Sequence, residues 1–225
     1  MSLVSRGIRG FAVSMRERLH GLYVITDEEL CPGRSHVEIA EAALQGGARI
    51  IQLRDKNAAD RAFYKVALQL RKLTLEAGAF FLVNDRVDVA SAVKADGVNV
   101  GQTDLPITAA RRLLGPGAII GVSASNVEQA RQAEIDGASY IGFGPVFPTG
   151  TKLDAGPVSC LETLAKVCGL VGVPVVAIGG INSENIASVA AAGAACAAVV
   201  SAIVCADDIA AATAGLIAAF QSKIA

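Results

Sequence analysis

A strand–loop–helix pattern that recurs along the chain is the feature that most constrains its fold. Each unit starts with a short apolar segment, continues through a polar loop and ends in an alanine-rich helix. The apolar segments lie near residues 22–26, 48–54, 79–84, 97–100, 118–123, 138–143, 173–178 and 196–201. Strands that are apolar on both faces are typical of parallel sheets covered by helices, which indicates the α/β class. Eight units in about 200 residues predict a (β/α)8 TIM barrel, with an open doubly wound sheet as the alternative.

Glycines and capping residues mark the boundaries of the predicted helices. A Gly in the left-handed conformation ends a helix without steric cost. We assign that role to Gly47, Gly78, Gly97, Gly117, Gly137 and Gly193. Three Ser-x-x-Glu capping boxes, which start at Ser35, Ser125 and Ser159, predict helix N-termini.

The chain reads as a single domain because no low-complexity linker interrupts the repeated units. We expect residues 21–225 to form the barrel. Residues 1–20 are Arg-rich and lack the continuous apolar stretch of a secretory signal, so we expect an N-terminal extension there. No G-x-G-x-x-G sequence follows the first strand, which disfavours a dinucleotide-binding sheet.

Composition excludes several classes of partner. The 225 residues are 52% hydrophobic and carry a net charge of −1, which predicts a large core and argues against nucleic acid or a membrane surface as a partner. No apolar run approaches the roughly 18 residues of a membrane span. So apolar a chain leaves a homo-oligomer open.

Cysteine and histidine usage argues against covalent catalysis by a thiol or hydroxyl. The 5 cysteines form no C-x-x-C pair, so we expect buried thiols in a reducing compartment and a cytoplasmic protein. The only histidines, His20 and His36, precede the strand ends, and His36 is expected in the first turn of a helix. A Ser-His or Cys-His catalytic pair is therefore not expected.

Polar residues gather where the predicted strands end, which is where a barrel of this kind carries its active site. Strand alternation puts Gln52 and Arg54 on one face, while Leu53 points towards the helices. Because an arginine in so apolar a strand is costly, we expect Arg54 to meet an anion at the barrel mouth. A structural salt bridge is the alternative. Lys56 adds a second cation in the following loop.

Two carboxylates follow the next two strands and suggest a metal site. Asp85 comes directly after the third strand, and Asp104 lies in the loop after the fourth. Mg²⁺ takes one or two protein carboxylates together with phosphate oxygens of the substrate. The sequence therefore predicts Mg²⁺ at Asp85 and Asp104, with helix N-capping as the alternative role.

The stretch from Gly142 to Lys152 has the composition of a phosphate-binding loop. Two glycines, Gly142 and Gly144, leave room for a ligand, and two prolines stiffen the chain that follows. The hydroxyls of Thr149 and Thr151 and the ammonium group of Lys152 suit a phosphate ester. An ordinary surface loop is the alternative, since Pro, Gly and Thr are common in turns.

A second, smaller phosphate site is predicted after the last two strands, at Gly180 and Ser201. The cations and the metal near the earlier strands are sufficient to neutralise a pyrophosphate. No strong general base is visible, and this combination favours an ionisation in which pyrophosphate leaves.

These segments together resemble the thiamine phosphate synthase family in order and spacing from about residue 21 onward. The matching segments are Tyr23-Val-Ile-Thr-Asp27, Gln52-Leu-Arg-Asp-Lys56, Asn84-Asp-Arg-Val-Asp-Val-Ala90, Gly101-Gln-Thr-Asp-Leu-Pro106, Gly121-Val-Ser-Ala124, 142–152, Ala177-Ile-Gly-Gly-Ile181 and Val200-Ser-Ala-Ile203. Each segment is a weak signal by itself, and the set is highly specific.

The resemblance implies a transferase reaction. The family joins 4-amino-2-methyl-5-hydroxymethylpyrimidine diphosphate to 4-methyl-5-(2-hydroxyethyl)thiazole phosphate and releases pyrophosphate by a dissociative mechanism. By resemblance, the pyrimidine diphosphate is held by Gln52, Leu53, Arg54, Asp55, Lys56, Asn84, Ser123 and Lys152. The thiazole phosphate is held by Thr149, Gly150, Thr151, Gly180, Val200 and Ser201. Catalytic roles are assigned to Arg54, Lys56, Lys152 and Ser123, and Mg²⁺ to Asp85 and Asp104.

One departure from the family concerns the fourth strand, where this chain has Asn99 and the family often has His. Asn can form hydrogen bonds but cannot carry a proton. Three alternative functions remain open: a related thiazole tautomerase, another phosphosugar barrel such as an epimerase, and a non-catalytic phosphate-ligand sensor. Retention of the full set of pyrophosphate residues favours the synthase over the tautomerase; the set is Arg54, Lys56, Asp85, Asp104 and Lys152.

Overall fold

The computed structural model describes residues 19–150 and 158–222, in which strands and helices alternate. The strands are β1 (Gly21–Thr26), β2 (Ile50–Leu53), β3 (Phe80–Asn84), β4 (Gly97–Val100), β5 (Ile119–Ala124), β6 (Tyr140–Phe143), β7 (Val175–Ile178) and β8 (Cys196–Val199). The helices are α1 (His36–Gln45), α2 (Asp60–Glu76), α3 (Val87–Ala92), α4 (Ile107–Leu114), α5 (Val127–Ile135), α6 (Leu161–Leu170), α7 (Ile186–Ala191), α8 (Ser201–Val204) and α9 (Ile209–Gln221).

The eight strands form a closed parallel barrel in chain order, which confirms the (β/α)8 prediction over the open sheet. Closure occurs between β1 and β8, where Tyr23 is in register with Ala198. No helix within 19–150 or 158–222 is long and apolar enough to cross a bilayer.

Alternation along the strands divides the core into two layers. Ile51 and Leu53 belong to the outer layer between barrel and helices. Ile50 belongs to the inner layer, which fills the barrel interior together with Leu82 and Ile119. Since neighbouring residues of a strand point to opposite faces, Gln52 follows Ile50 towards the interior, as predicted.

Four of the six predicted glycine helix stops are confirmed by a positive φ: Gly47, Gly78, Gly137 and Gly193. Gly97 is instead part of β4, where an added Cβ would collide with the backbone of Ile119. In place of Gly117, Gly115 follows α4 and has φ of 89°.

Of the three predicted capping boxes, only the one at Ser35 is confirmed. Helix α5 is capped one residue later than predicted, because the side chain of Asn126 accepts from Gln129 N–H. Ser159 does not cap α6, since its hydroxyl donates to the carbonyl oxygen of Ser125. This hydrogen bond from Ser159 therefore links the segment before α6 to the loop after β5.

The prediction that the cysteines are buried thiols is wrong for Cys31 and Cys205, which form a disulfide with Cα atoms 5.6 Å apart. Barrel closure puts the loop after β1 beside the end of α8, although 174 positions separate the two cysteines in sequence. Among the free cysteines of the described residues, Cys196 is a buried thiol as predicted, whereas Cys160 is exposed.

Candidate active site

A cleft of about 410 Å³ opens at the carboxyl ends of the strands and is lined by residues from every strand. This volume lies in the range of small-molecule sites. Many residues predicted from the sequence line it together: Gln52, Arg54, Lys56, Asn84, Asp85, Asp104, Ser123, Thr149, Gly180, Val200 and Ser201. The topology therefore brings both predicted phosphate sites and the predicted metal site to one cleft.

Other predicted residues lie apart from the cleft or outside the described part of the chain. The side chain of Leu53 packs in the outer core layer. Asp55 is in the loop after β2, and Gly150 is exposed at the end of a described segment. Thr151 and Lys152 fall outside the described residues, so their predicted roles stay predictions.

Arg54 is held at the mouth by a carboxylate from the neighbouring strand end. Its Nη1 lies 2.9 Å from Oδ2 of Asp27, whose side chain is only 7% exposed. The salt bridge that was the alternative for Arg54 is thus present, and the side chain lines the cleft as well. Both roles are compatible because the pairing fixes the guanidinium at the edge of the cleft.

A buried histidine supports the loop that carries Lys56. His36 begins α1, as predicted, and its Nδ1 lies 2.8 Å from Oγ1 of Thr26. Its Nε2 is 3.5 Å from Oδ2 of Asp55. Partial burial acts to raise the pKa of Asp55, but N–H donors of Asn57 and Ala58 and the nearby imidazole outweigh it and lower the pKa. The carboxylate therefore stays ionised and organises the loop.

The two predicted metal ligands come from adjacent strand ends, and Asp104 does not cap the helix that follows it. Asp85 has φ of 59°, and its N–H donates to Asn99 O across 2.9 Å. Oδ2 of Asp104 accepts from Gly101 N–H at 2.7 Å. Helix α4 instead begins after Pro106. The helix-capping alternative is therefore wrong for Asp104, which braces its own loop.

The glycines of the mouth serve different purposes. A Cβ on Gly142 would point into the cleft, with Asn99 Oδ1 at 3.7 Å as its nearest neighbour, so this residue does leave room for a ligand. A Cβ on Gly144 would collide with the carbonyl oxygen of Ile178, so the prediction that Gly144 also clears ligand space is wrong. Its role is close packing between β6 and β7.

The loop after β6 rests on the glycine pair after β7. Val146 N–H donates to Ile178 O at 2.9 Å, and Phe147 N–H donates to Gly179 O at 3.1 Å. Gly179 and Gly180 have φ of 101° and 64°, and a Cβ on either would collide with this loop. Backbone approach of this kind requires glycine.

Sequence reasoning missed a chain of polar side chains across the floor of the cleft. Gln52 Nε2 donates to the Tyr23 hydroxyl at 2.6 Å, and that hydroxyl lies 2.9 Å from the Tyr140 hydroxyl. Tyr140 donates to Asn99 Oδ1 at 3.0 Å, and Asn99 Nδ2 donates to Ser123 Oγ at 3.1 Å. The available signal was a tyrosine at an inward position of each of two apolar strands.

Comparisons with known proteins show which family the sequence is similar to. Residues 22–203 match the family model described as thiamine monophosphate synthase. The thiamine-phosphate synthase of Methanospirillum hungatei is 53% identical over 193 residues, which cover 86% of this chain and 94% of that protein. The enzyme of the same name from Methanocella arvoryzae is 52% identical over 197 residues, covering 88% and 93% of the two chains.

A comparison with solved structures finds similarity to the same kind of enzyme. Thiamine phosphate pyrophosphorylase from Pyrococcus furiosus superposes with a TM-score of 0.86 at 46% identity, covering 94% of this chain and 100% of that chain. A 3-hexulose-6-phosphate synthase, at 22% identity and a TM-score of 0.67, shares the fold alone. The protein is thus an enzyme of the transferase class, and the chain belongs to the thiamine monophosphate synthase family.

Proposed function

We propose that the enzyme joins 4-amino-2-methyl-5-hydroxymethylpyrimidine diphosphate to 4-methyl-5-(2-hydroxyethyl)thiazole phosphate and releases pyrophosphate. The observation that carries this proposal is the single cleft in which cations and carboxylates face a side formed by glycines and hydroxyls. A diphosphate with a metal requires the first set, and a monophosphate can bind to the second.

The charged side of the cleft suits the leaving diphosphate. Arg54 and Lys56 provide positive charge, while Asn84 and Ser123 provide neutral hydrogen-bonding groups. Lys152 is expected to add a third cation from outside the described residues. Developing negative charge on a leaving group is stabilised most by donors that are already in position.

The carboxylates of Asp85 and Asp104 fit Mg²⁺. They line one cleft with the amide side chains of Asn84 and Gln102, and oxygen ligands are what this ion prefers. No group of three or more His, Cys, Asp or Glu side chains suited to a metal occurs within 19–150 and 158–222. Two carboxylates are sufficient where substrate phosphates and water complete the coordination. When bound, the ion would neutralise charge on the pyrophosphate.

The opposite side of the cleft suits the thiazole phosphate. Thr149 and Ser201 line it with hydroxyls, and Gly180 lines it where the loop after β6 packs on the glycine pair. In the proposed reaction the carbon–oxygen bond to the diphosphate breaks and its electron pair leaves with pyrophosphate. The thiazole nitrogen then donates its lone pair to the pyrimidine methylene carbon. The vacant position at Gly142 leaves space between the two sides for this encounter.

The experiment that tests this function supplies both substrates with Mg²⁺ and measures pyrophosphate and thiamine phosphate. We expect equimolar products, and about a hundredfold lower rate for Lys56→Ala because a cation at the leaving group is lost. Lys65→Ala is the matched control, since Lys65 is exposed on α2 and should leave the rate unchanged. Folded protein that releases no pyrophosphate, or that only isomerises the thiazole phosphate, would contradict the proposal.

A further inference from the structure

The hydrogen bonds between Gln52 and Ser123 all run in one direction. Asn99 Oδ1 can only accept, so the Tyr140 hydroxyl donates to it. That hydroxyl has one hydrogen, and the bond between the two tyrosines must therefore be donated by Tyr23. Tyr23 accepts from Gln52 Nε2, and Asn99 Nδ2 donates to Ser123 Oγ at the other end.

This direction determines which hydrogen-bonding group Gln52 and Ser123, at the two ends of the hydrogen-bonded series, offer to a ligand. The Nε2 group of Gln52 is committed to Tyr23, so its Oε1 is left as an acceptor at the cleft. Ser123 Oγ already accepts from Asn99, so its own hydrogen is left to be donated into the cleft. The cleft thus presents an acceptor on β2 and a donor on β5.

Packing makes this chain of hydrogen-bonded side chains rigid. Tyr23 and Tyr140 are each 1% exposed, and their rings meet edge to face with centroids 6.0 Å apart. A Cβ on Gly121 would collide with the Tyr140 ring, so the absence of a side chain there makes its position possible. Burial raises the pKa of both tyrosines, which keeps each hydroxyl protonated. Reversing the chain would require two amides and the hydroxyls between them to turn together.

We propose that Tyr23, Tyr140 and Asn99 are positioning residues that fix the hydrogen-bond polarity of Gln52 and Ser123, so that the cleft selects a heterocycle bearing an amino donor. This inference rests on the proposed function and names the feature of the substrate that is read. The 4-amino group of the pyrimidine donates to Gln52 Oε1, and Ser123 donates to a ring nitrogen or a diphosphate oxygen. An analogue with an oxo group in place of the amino group presents an acceptor to Gln52 and is rejected.

Substrate discrimination tests the Gln52 end of the chain. We would measure kcat/KM for the 4-amino pyrimidine diphosphate and for its 4-oxo analogue in wild type, Tyr23→Phe and Tyr140→Phe. Wild type should prefer the amino compound by at least about a hundredfold. The Gln52 Oε1 acceptor is positioned for an amino donor, and an oxo group would place a second acceptor against it. The preference should fall by about tenfold in both variants, since the Gln52 amide can then rotate.

Two readouts separate positioning from a general structural effect. KM for the pyrimidine diphosphate should rise in both variants while KM for the thiazole phosphate stays at the wild-type value. Tyr64→Phe is the matched control, because Tyr64 lies on α2 with 38% exposure and should keep wild-type discrimination.

Substitution of Asn99 tests the Ser123 end and provides the rescue. A neutral imidazole in Asn99→His accepts at one nitrogen and donates at the other, so kcat/KM should stay within about threefold of wild type. Asn99→Leu can do neither, and kcat/KM for the pyrimidine diphosphate should fall by about tenfold. Thermal unfolding of both variants shows whether a lower kcat/KM reflects loss of folded protein. The ratio of kcat/KM for the amino and oxo compounds does not depend on the folded fraction, so it still tests the role of Asn99.

A wild-type preference for the oxo analogue would overturn the proposal, since it requires the opposite polarity. Equal discrimination in wild type, Tyr23→Phe and Tyr140→Phe would also overturn it. If wild type makes no thiamine phosphate, the proposed function fails instead. The calorimetric affinities of wild type for the amino and oxo diphosphates then test the polarity separately from turnover, and equal affinities would overturn it.

Discussion

The two sides of the cleft are built by different means. The side formed by β2, β3 and β4 carries the charged residues, and each charge that is fixed there has a partner: Arg54 pairs with Asp27, and Asp104 accepts from Gly101 N–H. On the side formed by β6, β7 and β8, the described residues that line the cleft are neutral, and the shape comes from backbone packing of the loop after β6 against Gly179 and Gly180.

This contrast matches what each side would have to bind. A diphosphate with a metal needs compensating charge, and buried charge must be paired to be tolerated. A monophosphate can be held by hydroxyls and amide N–H groups, which need close backbone approach rather than charge. The sides should therefore respond to different substitutions: loss of charge should affect the pyrimidine diphosphate, and loss of close packing should affect the thiazole phosphate.

The largest effect is expected for Arg54→Ala. Turnover should fall by about a thousandfold, because a fixed cation at the leaving group is lost. Stability should fall as well, by about 3 kcal/mol, since the buried carboxylate of Asp27 is left unpaired. The assays are steady-state pyrophosphate release and urea unfolding.

A second variant separates these two effects of Arg54. Adding Asp27→Asn to Arg54→Ala should restore most of the stability and none of the activity, because only the unpaired charge is removed. Arg61→Ala on α2 is the matched control, since Arg61 is exposed. Activity close to wild type in Arg54→Ala would show that Arg54 serves only its salt bridge.

The metal prediction is tested by Asp85→Asn, chosen because Asn also tolerates the positive φ of 59° at this position. We expect at least about a tenfold higher Mg²⁺ concentration at half-maximal rate, since a charged ligand becomes neutral. Asp136→Asn is the control, because Asp136 is exposed at the end of α5. An Mg²⁺ titration that coincides with wild type would exclude Asp85 as a ligand.

On the neutral side, Gly180→Ala should raise KM for the thiazole phosphate by about tenfold and leave the Mg²⁺ titration unchanged. The added Cβ meets the loop after β6 and a φ of 64° disfavours Ala, so stability should drop by about 1–3 kcal/mol. Gly215→Ala in α9 is the control, since its Cβ meets open space and Ala favours a helix by about 0.5–1 kcal/mol. A raised KM for the pyrimidine diphosphate alone would contradict the division between the sides.

The sequence was informative about the charged side because strand alternation and strand ends are local properties. Arg54 and Asp85 could be placed at the mouth from the run of apolar residues that precedes each of them. The partners that hold the site could not be predicted in this way. Asp27 meets Arg54 from the neighbouring strand end, and the two tyrosines meet across the barrel. Periodicity specifies the face of a residue but not its neighbour.

The same limit explains the errors in the prediction. Gly144 was assigned to ligand space, but its contact is with the backbone of Ile178, which only the pairing of β6 with β7 reveals. Cys31 and Cys205 meet because β1 and β8 close the barrel. Both of these errors concern contacts between elements that are distant in sequence, whereas the local strand faces were predicted correctly.

The smallest expected effect concerns Asp55, which supports the charged side from outside the cleft. Its carboxylate accepts from Asn57 N–H at 2.9 Å and Ala58 N–H at 2.8 Å, and its pKa is lowered below the ordinary 3.8. The unfolded chain therefore takes up this proton at higher pH than the folded chain does. The stability contributed by Asp55 is present above pH 3.8 and is lost as the pH falls through the lower folded value.

Asp55→Asn cannot titrate, so its free energy of unfolding should fall less steeply than that of wild type between about pH 5 and pH 3. The difference should be at most about 1 kcal/mol, because solvent screens this partly exposed group. Urea unfolding across this pH range measures it, with the exposed Asp207→Asn as control. Parallel pH profiles for wild type and Asp55→Asn would mean that the loop beside Arg54 is held without its carboxylate, and that the charged side depends on the Asp27 pair alone.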